Sequence, residues 1–174
     1  MELLIHKMPQ AIIWIYVGVG LVAAITDFRT GKIYNWLTVP AFLLGLALSF
    51  LYATAWAGLG GAGVAFLVFF PLHFLKIFGA GDVKLAMAFG AVLGVRGTVE
   101  LLILSILIAG LGAFFLLIYH RRVKIFFMEC FGFFRSIFIP GLVLQWPKLS
   151  RDIKAPFGVA LFLSFVCVLV KYGK

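Results

Sequence analysis

Six apolar stretches, separated by short polar turns, constrain the fold of this chain more than any other feature of its sequence. They cover approximately residues 9–25, 37–55, 64–77, 83–95, 98–119 and 156–170. A helix of about 20 apolar residues can cross a bilayer, because its backbone hydrogen bonds are all satisfied within the segment. Only 12% of the chain is charged, whereas soluble domains carry about 25%. We therefore predict an all-α, polytopic integral membrane protein with six transmembrane helices.

The basic character of the chain indicates contact with a membrane surface rather than with nucleic acid. The formal net charge is +9, from 15 Lys and Arg against 6 Asp and Glu. These bases flank the apolar stretches, which is typical of topology signals and of binding to anionic lipid headgroups. The two cysteines, Cys130 and Cys167, are not part of a C-x-x-C pattern. We expect membrane lipids as partners, and no metal site, disulfide framework or cofactor.

The distribution of bases among the connections predicts the orientation in a cytoplasmic (inner) membrane. Eleven bases lie in the first, third and fifth connections, and four lie in the fourth connection and at the termini. Cytoplasmic loops are enriched in Lys and Arg, so we expect the first group inside and both termini outside. The N-terminal apolar run lacks a clear small-x-small cleavage site, and we expect it to be retained as a span.

Glycine-rich spacing indicates close packing between helices. Residues 57–63 are uncharged and contain G-x-G-x-x-G, and we expect a tight hairpin there. Nucleotide binding by that motif would need a preceding strand and a following acid, which adjacent membrane helices exclude. Gly90 and Gly94 have the G-x-x-x-G spacing that lets two helices approach closely.

The segment between the fifth and sixth apolar stretches is mixed in character. Residues 121–145 combine bases with many phenylalanines, and Glu129 and Arg135 interrupt the apolar run. A span would have to bury both charges, so we expect a helix lying in the cytoplasmic interface. A packed connector without a role in substrate handling fits the same composition.

Two aspartates occupy places where a charge is costly. Asp27 follows the first apolar stretch, and Asp82 lies in the glycine-rich turn that precedes the fourth. A carboxylate at the centre of a membrane helix costs about 2.5–3.5 kcal/mol even on the lower scales, so such acids indicate function. The predicted orientation places both at the cytoplasmic side, at the ends of oppositely running helices.

Two carboxyl groups that share one water molecule can hydrolyse a peptide bond without a metal or a covalent intermediate. At short range they do not both ionise easily, so the pair holds one proton. The ionised member takes a proton from water, and the protonated member polarises the scissile carbonyl. The alternative is that Asp82 caps the fourth helix and that Asp27 pairs with Arg29 or Lys32. A single acid would favour that alternative, but two acids on the same side of the membrane favour a role in the reaction.

Three stretches of the sequence resemble type IV prepilin peptidases, which are membrane aspartyl proteases with a G-x-G-D signature. Residues 79–85 read GAGDVKL and look like the segment of the second aspartate. Residues 25–35 read ITDFRTGKIYN and look like the segment of the first, with the spacing D-x-R-x-x-x-I-x-N. Residues 155–158 read APFG and are similar to the opening of the family's last helix. Tyr34 and Val159 stand where the family often has proline.

The resemblance implies a single membrane-embedded peptidase domain over residues 1–174. Such an enzyme removes the short basic leader of prepilin-like or preflagellin-like subunits at the cytoplasmic face, next to the apolar helix of the substrate. Asp27 and Asp82 would be the catalytic pair. The turn and the surroundings of the pair would be formed by Gly79, Gly81, Lys84, Arg29 and Asn35.

The resemblance leaves the form of the enzyme and two rival functions to be weighed. Larger members carry a cytoplasmic region with paired C-x-x-C that methylates the new N-terminus, and no such pattern occurs here, so we expect the compact, peptidase-only form. A small proton-coupled carrier would also need acids at membrane level. A pilus assembly protein without activity would keep the same fold. The sequence does not indicate an oligomeric state.

Overall fold

The computed structural model describes residues 9–52, 55–74, 78–121 and 156–172, together with residues 123, 128, 131 and 135. Five helices are described, and no strand occurs among these residues. They are α1 (Gln10–Thr30), α2 (Asn35–Tyr52), α3 (Ala55–Phe74), α4 (Ala80–Tyr119) and α5 (Phe157–Tyr172). The first four are long and apolar enough to cross a membrane, and α5 is a shorter apolar helix. The predicted all-α membrane class is confirmed.

Helix α4 covers the fourth and fifth predicted spans, and a break at Gly94 divides it into two helical parts. It contains 40 residues, which would extend about 60 Å as a straight helix, twice the hydrocarbon core of a bilayer. Gly94 interrupts it with φ 72° and ψ 179°, a conformation that is essentially restricted to glycine. The Thr98 hydroxyl donates to the Gly94 carbonyl oxygen at 2.7 Å and satisfies the backbone at the break. The count of six spans stays a prediction.

The chain forms two compact units. Residues 1–108 and 156–174 make the first unit, and residues 109–155 make the second. The first unit contains α1, α2, α3, α5, the part of α4 up to Ile108, and both aspartates. The single peptidase domain expected from the sequence stays a prediction.

Interhelical contacts inside the first unit involve both ring stacking and a buried hydroxyl. Helix α1 packs against α5 and α2, and α2 packs against α3. The rings of Phe89 and Phe165 stack with centroids 4.2 Å apart and connect α4 to α5. The Tyr16 hydroxyl donates to the Ala41 carbonyl oxygen at 2.5 Å and connects α1 to α2. Because lipid tails are as apolar as the helices, such close packing and interhelical hydrogen bonds hold membrane helices together.

Helices α3 and α4 cross with their backbones in contact. A Cβ atom at Gly61 would overlap the carbonyl oxygen of Gly90, and one at Gly90 would lie 2.6 Å from the carbonyl oxygen of Gly61. The predicted close packing is therefore correct, but the predicted hairpin at 57–63 is wrong. Those residues lie inside α3, because their glycines serve the crossing instead of a turn.

A charged cluster joins α4 to the C-terminal end of α5. Lys171 Nζ lies 2.8 Å from a carboxylate oxygen of Glu100, and the Tyr172 hydroxyl donates to the other oxygen. The Arg96 Nε atom lies 4.0 Å from Glu100 Oε1. Arg96 and Lys171, two of the four bases expected outside, are therefore close together.

The first connection is shorter than expected, and one prediction cannot be compared. The polar turn predicted at 26–36 is shorter, because α1 continues to Thr30 and α2 already begins at Asn35. Only residues 31–34 connect them. The interfacial segment expected at 121–145 lies almost entirely outside the described residues, as do both chain termini.

Candidate active site

Asp27 lies in the last turn of α1, where its backbone is fixed by a helix cap. Gly31 follows the helix with φ 62° and ψ 26°, the left-handed conformation that glycine adopts without strain. Its N–H donates to the Asp27 carbonyl oxygen at 2.8 Å, as in a glycine C-cap. The Asp27 residue is only 9% exposed. The helix end therefore places a buried carboxyl group at a defined position.

Asp82 lies in the first turn of α4, and its side chain reaches back to the start of the helix. Its Oδ2 atom accepts the Gly79 N–H at 2.9 Å, and its own N–H donates to the Gly79 carbonyl oxygen at 3.1 Å. Asp82 Oδ2 supplies one half of a capping box, since Gly79 has no side chain to complete it, so the capping interpretation of Asp82 is correct for one oxygen. The other oxygen, Oδ1, is buried and has no hydrogen-bond partner among the described residues.

Ile33, in the turn between α1 and α2, connects the segments of the two aspartates. A Cβ atom at Gly81 would lie 2.7 Å from the Ile33 carbonyl oxygen and 2.8 Å from the Ile33 Cβ atom. Glycine is therefore required at position 81 because the Ile33 backbone lies against it. Its φ angle is not positive, so backbone conformation is not the reason. On its other side, Ile33 Cδ1 lies 3.0 Å from the place that a Cβ atom at Gly158 would occupy.

The N-terminus of α5 meets Asp27 directly. The Gly158 N–H donates to Asp27 Oδ2 at 2.7 Å, across 131 positions of the sequence. The first N–H groups of a helix have no acceptor within the helix, and a carboxylate satisfies them well. Three separate stretches, at 27–33, 79–82 and 157–158, thus meet at one place in the first unit.

The remaining predicted site residues are Lys84, Asn35 and Arg29, and among the described residues none of their hydrogen bonds or ion pairs goes to Asp82. Lys84 Nζ donates to Asn35 Oδ1 at 2.9 Å, which connects the start of α4 to the start of α2. Arg29 and Lys32 are exposed. Lys84 and Asn35 are therefore brought together, whereas Arg29 and Lys32 lie at the surface beside the turn.

An aromatic cluster packs behind the glycine-rich turn. Phe78 lies with its ring centroid 4.1 Å from that of Phe157 and 5.1 Å from that of Phe69. His73 Nδ1 lies 3.0 Å from the Phe78 carbonyl oxygen. That acceptor requires the N–H form of Nδ1. His73 therefore has the local partner expected from the sequence, and it supports the turn.

The two carboxyl groups belong to one candidate site. The Ile33 backbone lies against Gly81, next to Asp82, and the Ile33 side chain lies against Gly158, whose N–H binds Asp27. Within the part of the chain that the structure describes, no three His, Cys, Asp or Glu side chains are grouped as metal ligands would be. A pair of neighbouring carboxyls, one with a buried and unpaired oxygen, can bind and activate water between them.

The helices and this site together define a multi-pass membrane protein with an acidic pair at one end of its first unit. A model of the type IV leader peptidase family matches residues 14–114, more than half of the chain and both aspartates. The chain belongs to this family, and it is therefore a membrane protease. Comparisons with curated proteins and with solved structures gave no match.

Sequence reasoning did not include Ile33 or Gly158 among the site residues. Ile33 was part of the D-x-R-x-x-x-I-x-N pattern, and Gly158 was part of the Pro-Phe-Gly stretch. Both residues therefore belonged to motifs that the sequence analysis had already recognised. Neither pattern indicates that the backbone N–H of Gly158 would reach the Asp27 carboxylate, because that contact arises only from the packing of α5 on α1.

Proposed function

We propose that the chain is an aspartyl endopeptidase in which Asp27 and Asp82 are the catalytic pair. Its substrates are prepilin-like or preflagellin-like subunits with a short basic leader followed by an apolar helix. The pair activates one water molecule, which attacks the carbonyl carbon at the end of the leader. Membership in the leader peptidase family supports the general activity.

One observation carries the assignment of the pair. Asp82 has a buried oxygen, Oδ1, without a hydrogen-bond partner among the described residues, and Ile33 connects its segment to that of Asp27. A buried carboxyl oxygen that stays unpaired costs about 1–3 kcal/mol or more, so a purely structural aspartate would be expected to have both oxygens bonded. An oxygen that receives water or a substrate carbonyl during the reaction accounts for this cost.

The cleavage site would lie at the cytoplasmic face. The eleven bases expected on that side include Arg29, Lys32 and Lys84, which flank the two aspartates in the sequence. The substrate leader is basic as well, so we propose that anionic lipid concentrates both partners, at about 1 kcal/mol per base near the surface. Direct attraction between the leader and these bases is not part of the proposal.

The test is leader cleavage by purified protein in lipid vesicles with a prepilin-like substrate. Asp27→Asn and Asp82→Asn keep the size of the side chain but remove its ability to exchange a proton. We expect each change to abolish cleavage, and the double variant to lose little more, because the pair acts as a unit. Asp152→Asn, the same substitution outside the two aspartate motifs, is the matched control and should cleave normally.

Two results would contradict the proposal. Substantial cleavage by either single variant, at matched expression and insertion, would exclude a catalytic pair and would favour a carrier that uses its acids as a proton relay. Full-length substrate in every sample, wild type included, would favour an assembly protein without activity. Addition of substrate from the two sides of oriented vesicles tests the cytoplasmic face in the same assay.

A further inference from the structure

The two aspartates differ in what holds them. Asp27 receives the Gly158 N–H at the N-terminus of α5, whereas Asp82 receives the Gly79 N–H at the start of its own helix. The contact to Asp27 is the shorter of the two, 2.7 Å against 2.9 Å. The N-terminus of a helix carries a partial positive charge, so α5 favours the ionised form of Asp27, and the start of α4 acts on Asp82 in the same way. The difference between the two groups therefore comes from the Oδ1 atom of Asp82.

The fit between Gly158 and Asp27 depends on the absence of a side chain. A Cβ atom at position 158 would lie 3.0 Å from the Asp27 Cβ atom, from Asp27 Oδ2 and from Ile33 Cδ1. Few real Cβ atoms have contacts this short, so a larger residue would move the N–H away from the carboxylate. Gly158 is also buried, which keeps water from replacing the contact.

The environment of Asp82 favours the opposite protonation state. Its Oδ1 atom is buried and lacks a partner among the described residues. An ionised carboxylate accepts hydrogen bonds at both oxygens, and leaving one unpaired is costlier for a charged group than for a neutral one. A protonated carboxyl group has an O–H that can donate to a substrate carbonyl at this place.

We propose that the two aspartates have fixed and different roles: Asp27 is the ionised base, positioned by the Gly158 amide, and Asp82 carries the proton. This assignment rests on the proposed function. Gly158 is a positioning residue, since it acts through Asp27 and does not contact the reacting atoms.

The roles give a balanced reaction. Asp27 takes a proton from water while the water oxygen forms a bond to the scissile carbonyl carbon. Asp82 gives its proton to the carbonyl oxygen, which produces a tetrahedral diol. One diol hydroxyl then returns a proton to Asp82, Asp27 gives its proton to the amide nitrogen, and the C–N bond breaks. The products are the leader with a new carboxyl end and the mature subunit with a new amine.

Infrared spectroscopy of the protein in lipid tests the assignment directly. The C=O stretch of a neutral carboxylic acid is separate from the bands of a carboxylate, and carbon-13 labelling of the aspartate side chain identifies aspartate bands. At neutral pH we expect the labelled acid band in the wild type and in Asp27→Asn, and its absence in Asp82→Asn. The reverse pattern, or the same result in both variants, would overturn the assignment.

Kinetics test the positioning role of Gly158. Gly158→Ala should lower kcat by roughly tenfold or more with KM nearly unchanged, because it displaces a catalytic group and not the substrate. Gly18→Ala is the matched control. Gly18 lies in α1, the same helix as Asp27, and a Cβ atom at this position meets nothing within 4 Å. Equal kcat values for the two variants would exclude the role of Gly158.

The two tests separate failure of this inference from failure of the proposed function. Cleavage by Asp27→Asn or Asp82→Asn would contradict the catalytic pair, whatever the infrared bands show. Loss of cleavage in both, with the acid band assigned to Asp27, would leave the pair in place and overturn only the roles. The infrared experiment also keeps the inference testable if Gly158→Ala does not fold.

Discussion

The crossing of α3 and α4 gives the sharpest prediction about stability. Gly61→Ala would place a Cβ atom in overlap with the Gly90 carbonyl oxygen and 2.8 Å from the Gly94 carbonyl carbon. All the nearest atoms belong to the backbone of α4, so no side chain can rotate away. Overpacking costs about 1–3 kcal/mol, and we expect the upper end because the two helices must separate. A loss of about 3 kcal/mol changes the unfolding equilibrium roughly a hundredfold.

Neighbouring glycines of α3 provide matched controls. Gly63→Ala adds a methyl group that meets nothing within 4 Å, and alanine is about 1 kcal/mol better than glycine in a helix. Gly60→Ala meets only Val95 Cγ2, at 2.7 Å, and a side chain can move. The expected order of stability is therefore Gly63→Ala at or above the wild type, then Gly60→Ala, then Gly61→Ala.

Unfolding in mixed micelles with increasing sodium dodecyl sulfate, followed by circular dichroism, measures these differences. We expect Gly61→Ala to unfold at a much lower midpoint detergent concentration than Gly63→Ala. Equal midpoints for the two variants would refute the reasoning, because the only difference between them is the backbone contact. Since this crossing fixes the helix that begins beside Asp82, its loss should also reduce the amount of active enzyme.

The other two predictions concern the hydrogen bond between the starts of α4 and α2 and the charged cluster at the C-terminal end of α5. Lys84→Ala should lower leader cleavage several-fold without abolishing it. Asn35→Ala should have the same effect, because the two side chains form one hydrogen bond. The activity of the double variant should therefore equal that of the less active single variant. Complete loss in folded Lys84→Ala would instead indicate a direct role. Glu100→Gln should lower the thermal unfolding temperature more than Arg96→Gln does, because Glu100 accepts hydrogen bonds from Lys171 and Tyr172. A smaller decrease for Glu100→Gln would contradict this.

Hydropathy predicted the helices well but located their ends poorly, and the reason is visible at α1. The apolar stretch ends at Ile25, whereas the helix continues through Asp27 and Arg29 to Thr30. Charges end a hydropathy signal, but they do not end a helix. The helix ends only at Gly31, where the backbone turns to the left-handed conformation and caps the Asp27 carbonyl. Asp27 is therefore a helical residue and not a residue of the connecting turn.

The glycine-rich stretch of α3 misled the sequence analysis for a different reason. Glycine disfavours helices in water, so the run from Gly58 to Gly63 indicated a hairpin. In a membrane bundle the same residues allow two backbones to touch, and that contact offsets the loss of helix propensity. The sequence identified the packing role of these residues correctly, but propensity alone could not say that they pack from within a helix.

The sequence singled out the two acids of the candidate site but not the contacts that hold them. The cost of burying charge singled out Asp27 and Asp82, and the count of bases placed both on one side. The contacts that hold them in place depend on segments far apart in the chain. No spacing rule connects Asp27 to Gly158, whose N–H it accepts. Only the packing of α5 against α1 creates that hydrogen bond.

The short turn between α1 and α2 explains why three distant stretches meet at one place. Ile33 lies six residues after Asp27, beyond the Gly31 cap, and its main chain contacts Gly81, one residue before Asp82. Its side chain reaches the place of Gly158, whose N–H binds Asp27. One residue thus limits the distance from α1 to both α4 and α5. A small residue at positions 81 and 158 is needed because each segment approaches Ile33 at contact distance, so a side chain at either position would push its segment away from the turn.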